Sequence, residues 1–429
     1  MMTKSNASLS EEDKHQLEIL IDDSVSTITK ENKFKIQSGY KNYFLPPFEE
    51  MMSFLNIKCD LSALYKHAEV SGISLPQISH GSLHQLHHQG VGKGVYKKLI
   101  NTLISLPSFP TQSLIKDKDQ WIDRSDSANS NALSWFGGIY QYNFFKTDKN
   151  LDQHELAFYQ YLMTFIEQRC QQDIAYLEQR NNKIEDLMLP KVNPCFSNHT
   201  QIDNVHLVVL EEVLSEAFDI NLLDEKKKIA IIEASLTCEY DFLFNCIACY
   251  EVGYMVTNNL LNIDSDNKKA VSTIYLMMDH YTQLKNDETC FHSFWKVIQL
   301  TLKDNGIDLS NRKLASFIQI NQHTDSFNSL NDAQYNVLKK WFKQQDLPSN
   351  DKLRSFVDSF AESIGFGWTN HFLLMAKIAL GFDTLLNQKS EQVKNSFGSD
   401  IDVTAIWKRV LGRYSEYYLY YFHQHFSGK

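Results

Sequence analysis

Glycine and proline are scarce, sixteen and eight residues in a chain of 429, roughly half of ordinary usage. Both interrupt helices. Their shortage favours long helices and disfavours β architecture, which depends on turns rich in both. No stretch reaches the roughly 18 uninterrupted apolar residues of a membrane helix. Residues 1–23 lack the apolar core of a secretion signal, so none is read there. Seven cysteines, Cys59, Cys170, Cys195, Cys238, Cys246, Cys249 and Cys290, are scattered and odd in number. That pattern implies reduced thiols and a cytoplasmic protein.

Several catalytic signatures are missing as well. The run from His87 to Gly94 has a Gly-Lys pair, but His87 stands five residues before Gly92 and Gly94 follows Lys93, so a phosphate loop does not fit. Rossmann glycine spacing, Gly-x-Ser-x-Gly and Glu-x-x-His repeats are not found. These absences weaken an enzymatic reading, and no cofactor or metal is expected.

What is present is 43% hydrophobic and 22% charged residues, the balance of a soluble globular protein, with a formal net charge of −10. The charge is uneven. Residues 1–150 are neutral, residues 151–310 carry −13 and residues 311–429 carry +3. An acidic middle repels nucleic acid, so any DNA contact must come from the ends. Residues 61–120 hold six lysines and five histidines against three acids.

Apolar periodicity near 3.6 predicts helices over Phe48–Leu55, Leu61–Val70, Leu151–Gln179, Val205–Phe218, Glu225–Met255, Lys268–Leu284 and Phe291–Leu302. Ser10, followed by Glu11, Glu12 and Asp13, starts a further helix near the beginning of the chain. Strand signals are weak throughout. Residues 107–132, rich in Ser and Asp with two prolines, read as loop or linker. The expected organisation is an N-terminal helical unit over 1–110, a linker over 111–132, an acidic central bundle over 133–310 and a C-terminal helical unit over 311–429.

The two outer units share a faint internal echo between residues 61–104 and 312–360. Ser74, Leu75, Leu83, Leu86 and Gln89 recur 255 positions later as Ser329, Leu330, Leu338, Trp341 and Gln344. After two inserted residues, Tyr96, Leu99, Ile100 and Leu103 recur as Leu353, Phe356, Val357 and Phe360. In the second copy Leu338 and Trp341 should face inward, with Asn336, Lys339, Lys340 and Lys343 outward. Pro348 and Ser349 should start a following helix from Asn350 to Ser363, and the segment Lys313–Asn321 should be the supporting helix. In the first copy Leu83 and Leu86 face inward, leaving His84, Gln85 and His88 outward.

This order of supporting helix, reading helix, polar break and Leu-Pro-Ser helix start resembles the helix-turn-helix domains of phage-repressor and Cro-like regulators. The resemblance covers 45–50 residues in each copy. Both connections into the reading helix are longer than the three or four residues of such turns. It implies a DNA-binding regulator in which His84, Gln85, His88, Asn336, Lys339, Lys340 and Lys343 contact double-stranded DNA. The alternative is a helical interaction or scaffold protein, since an apolar i, i+3 pair followed by a loop and a helix also describes any helical hairpin.

Three other groupings have two readings each. Cys246 and Cys249 share a helix face and could pair with Cys290 and His292 around zinc, although an apolar helical setting fits core packing better. His84 and His88 have i, i+4 spacing suited to a metal, or to a solvated face. The C-terminal segment, read as one aromatic helix, carries Trp407, Tyr414, Tyr417, Tyr418, Tyr421 and Phe422. These either fill the core of one chain or join two copies. The acidic middle is a spacer or a surface for a protein partner.

Overall fold

The computed structural model describes residues 223–257, 272–283, 288–320, 327–365, 367, 369–398 and 401–426. Of the rest it describes 33–34, 45–46, 48–56, 77–79, 81–82, 85, 90–92, 94–95, 98, 135, 162, 164–173, 202 and 206–209. The fold is all-α, as composition implies. Its helices are α1 (Phe48–Phe54), α2 (Glu225–Thr257), α3 (Thr273–Gln283), α4 (Cys290–Asp304) and α5 (Asn311–Ala315), then α6 (Phe327–Phe342), α7 (Asn350–Ile364), α8 (Thr369–Phe397), α9 (Val403–Gly412) and α10 (Tyr414–Phe426). Residues 164–173 and 206–209 are also helical. Among the described residues the strands are β1 (Lys33–Phe34) and β2 (Val91–Gly92), antiparallel, with Lys33 opposite Gly92 and Phe34 opposite Val91.

The chain forms two compact units, one of residues 1–49, 58–152 and 167–188, the other of residues 50–57, 153–166 and 189–429. In the first, Trp135 is buried, donates its indole N–H to the Pro46 carbonyl at 2.6 Å and meets Phe48 edge-on.

The second unit is organised around α2. Every residue from Tyr240 to Val252 is buried, as expected of a helix enclosed on all sides. The residues on either side of position 310 share one hydrophobic core. Its aromatic centre is Trp295 of α4, fully buried, with Phe294, Phe356, Phe360 and Phe372 all within 5.4 Å between ring centroids. Gly381 of α8 is required by close approach, because a Cβ there would lie 2.6 Å from Phe54.

The segment read as one C-terminal helix is two. Arg413 caps α9 through its N–H, and α10 begins at the next residue. The break lets α9 set Trp407 against Tyr240 and Phe382, while α10 turns its tyrosines onto polar residues inside α2. Tyr417 donates to Asp241 at 2.8 Å, Tyr421 to Asn245 at 2.9 Å and Tyr414 to Glu251 at 2.5 Å. Tyr414, Tyr417, Tyr418 and Tyr421 are therefore buried within their own unit, and Leu419 and Tyr420 are large apolar residues of α10 left exposed.

Candidate nucleic-acid interface

Helix α6 builds the C-terminal candidate site. Gln334, Leu338, Trp341 and Phe342 are buried and spaced for one helix face. Trp341 meets Phe356 of α7 at 5.5 Å. Gln334 donates to the carbonyls of Ile318 at 2.7 Å and Ser316 at 3.3 Å, tying α6 to the exit of α5.

The opposite face carries Asn336, Lys339, Lys340 and Lys343, all exposed. Positions 336, 339, 340 and 343 form one stripe at i, i+3, i+4 and i+7. Lys339 lies 4.5 Å from the Tyr335 ring centroid, and Arg312 of α5 lies 5.0 Å from the same ring. Arg312 also pairs with Asp332 at 2.9 Å. Both members of that pair are exposed, so it adds little stability, but it holds the α5 cation beside the α6 stripe.

The stripe ends in a tight C-cap. Gln344 has a positive φ of 54°. Its N–H reaches the Trp341 carbonyl, and the Gln345 N–H reaches that of Lys340 at 2.9 Å. This is the Schellman arrangement. A non-glycine residue is held there because its side-chain amide bonds Asn387 and the Asp383 carboxylate of α8. Thr289 donates to the terminal Phe342 carbonyl at 2.9 Å. Lys339 and Lys340 in the last turn, with Lys343 just beyond it, also suit the negative end of the helix dipole.

The following helix is capped where Pro348 and Ser349 indicated, with Ser349 accepting the Lys352 N–H. It ends at Gly365, whose φ of 67° provides the left-handed cap. The supporting element differs from a helix-turn-helix unit. Helix α5 has five residues, and residues 316–326 separate it from α6.

In the N-terminal candidate site Gln85 is helical and exposed. Ser79 accepts the Ser82 N–H at 3.1 Å, a helix-start contact. Gly90, at φ 79°, donates to the Gln85 carbonyl at 2.7 Å and leads into β2. The first copy thus has β2 in the break that follows, and beyond it the described residues 94, 95 and 98 are helical, as the second copy is helical over α7. His84 and His88, with Leu83 and Leu86, lie outside the described residues.

Cys246 and Cys249 are core residues of α2, and burial pushes the Cys249 thiol well up. Cys290 sits buried at the start of α4, while His292 stacks on Phe342 and pairs with Glu288 at 3.0 Å. Among the described residues no group of three or more His, Cys, Asp and Glu is placed to hold a metal ion. His371 stacks on Tyr254 with ring centroids 3.6 Å apart, and burial brings it down to about 4.

Two members of the α6 surface escaped the sequence reading. Arg312 and Tyr335 are 23 positions apart and belong to no motif, and only the packing of α5 on α6 unites them. Among the described residues no helix is long and apolar enough to cross a membrane. Comparison of the chain with protein-family models, with curated proteins and with solved structures finds no match.

Proposed function

We propose that the protein is a cytoplasmic DNA-binding regulator that lays the outer stripe of α6 on double-stranded DNA. The observation that carries this reading is the exposure of Asn336, Lys339, Lys340 and Lys343 on one face, backed by the fully buried Leu338 and Trp341. Three lysines within two turns match the demands of phosphate contact. Asn336 has the side chain that pairs with an adenine edge. Gln85, His84 and His88 are the corresponding contacts of the first copy. The short α5 and the long connection after it favour docking dominated by phosphates over reading of many bases.

Neutralising three phosphates gives a log–log salt slope of about −2.7, so affinity should fall roughly 40-fold between about 50 and about 200 mM salt. The test is retention of genomic fragments in a gel at both salt concentrations, for wild type and for Lys339→Glu/Lys343→Glu. Both positions are exposed, so the variant should keep the wild-type helical circular dichroism. Wild-type retention that weakens with salt and is lost in the variant supports the reading. Equal, negligible retention of both proteins removes it.

A second reading, a helical interaction protein, is favoured by the exposed Leu419 and Tyr420 beside the buried tyrosines of α10. It makes the protein a dimer through that helix, or a scaffold whose acidic 151–310 region meets a partner. If so, the mass in solution should be that of two chains, and Leu419→Asp/Tyr420→Asp should reduce it to one.

A further inference from the structure

Two carboxyl groups in the second unit are placed alike. Asp383 of α8 is fully buried and accepts the first-turn N–H groups of α4, Cys290 on Oδ1 at 2.7 Å and Phe291 on Oδ2 at 2.9 Å. Glu251 of α2, 3% exposed, accepts the first-turn N–H of α3, from Ile274 on Oε1 at 3.0 Å. The hairpin of α3 and α4 is therefore held at both helix starts by carboxyls from α2 and α8, the two longest of the described helices.

The surroundings of each are mostly neutral. Asp383 faces the Cys290 thiol, the Gln344 amide, the Tyr281 hydroxyl of α3 and, across Cys290, Lys408 of α9. Lys408 lies over the Tyr281 ring at 5.2 Å. Glu251 faces the Tyr414 and Tyr418 hydroxyls of α10 and the Ser272 hydroxyl, with Tyr275 beyond Tyr418 and Cys249 beside Tyr414. Neither carboxyl forms a salt bridge among the described residues. A buried carboxylate held by dipoles alone is poorly compensated for lost water.

We propose that the α3–α4 hairpin is a proton-linked element, seated firmly between α2 and α8 when Glu251 and Asp383 are neutral and loosened when both are ionised. Burial pushes each carboxyl up to about 7, against the opposing pull of the N–H and hydroxyl donors. Because the folded-state values exceed the ordinary 4.5 and 3.8, the folded chain binds more protons than the unfolded chain between those limits. The stabilisation is complete below the unfolded values and is lost as pH rises through about 7. Near-neutral pH therefore falls where both groups change charge.

The test compares unfolding of the full chain at about pH 5.5 and about pH 8.5, for wild type, Glu251→Gln, Asp383→Asn and the double variant. Wild type should lose roughly 30-fold in folding equilibrium per carboxyl on going to the higher pH. Each single variant should lose one share of that difference, and the double variant should show little of it. A double variant with the full wild-type difference overturns the proposal. If the variants do not fold, infrared spectra of the wild-type chain decide. A protonated-carboxyl C=O band that disappears between the two pH values supports the proposal, and its absence at about pH 5.5 overturns it.

Discussion

Single residues inside the core hold the most exacting positions. Gly381 permits Phe54 to lie against the α8 backbone, and a methyl group would have to displace both the ring and the Phe54 carbonyl. Gly381→Ala should destabilise the chain by about 1–3 kcal/mol, as overpacking does, measured by denaturant unfolding. Tyr414→Phe should act differently. It removes a donor that favours the ionised form of Glu251, so the midpoint of that carboxyl should rise, read from infrared titration. Leaving Glu251 less satisfied should also destabilise by roughly 1–3 kcal/mol. Neither effect is legible in sequence. The glycine sits in an ordinary helical stretch, and the tyrosine is 163 positions from its acceptor.

At the level of elements, local signals worked where caps and periodicity agree. Ser349 starts α7 and Gly365 ends it, so Ser349→Ala should destabilise by about 1 kcal/mol, checked by thermal melting against an exposed Ser→Ala control. The inward and outward sides of α6 were also legible, because Leu338 and Trp341 sit three apart while the lysines occupy the remaining positions. Two elements were not. Helix α8, 29 residues long, received no assignment, since its glycine and its mixed polar second half blur the apolar pattern. The C-terminal segment read as one helix because periodicity continues through Gly412 and Arg413. The turn there is set by the need to aim Trp407 and the α10 tyrosines at different parts of α2.

For the whole molecule, Trp295 is the point where α4, α7 and α8 meet. Trp295→Ala should destabilise by roughly 3–5 kcal/mol, measured by denaturant unfolding, and should shift Trp341 fluorescence because Phe356 touches both indoles. The basic surface proposed to meet DNA also exists only at this scale. Arg312, Tyr335 and Lys339 converge through the seating of α5 on α6, a contact that no spacing rule contains.

Helical content, the identity of most described helices and the polarity of α6 are properties of short windows, written in periodicity and capping chemistry. The fate of a polar residue within an apolar helix is of another kind. Asp241, Asn245 and Glu251 lie inside α2, and Asp383 lies inside α8. Whether such groups face water, bind a ligand or cap a neighbouring helix depends on which segment closes over them. That choice belongs to tertiary packing, because burial and hydrogen-bond partners come from chain segments tens to hundreds of residues away.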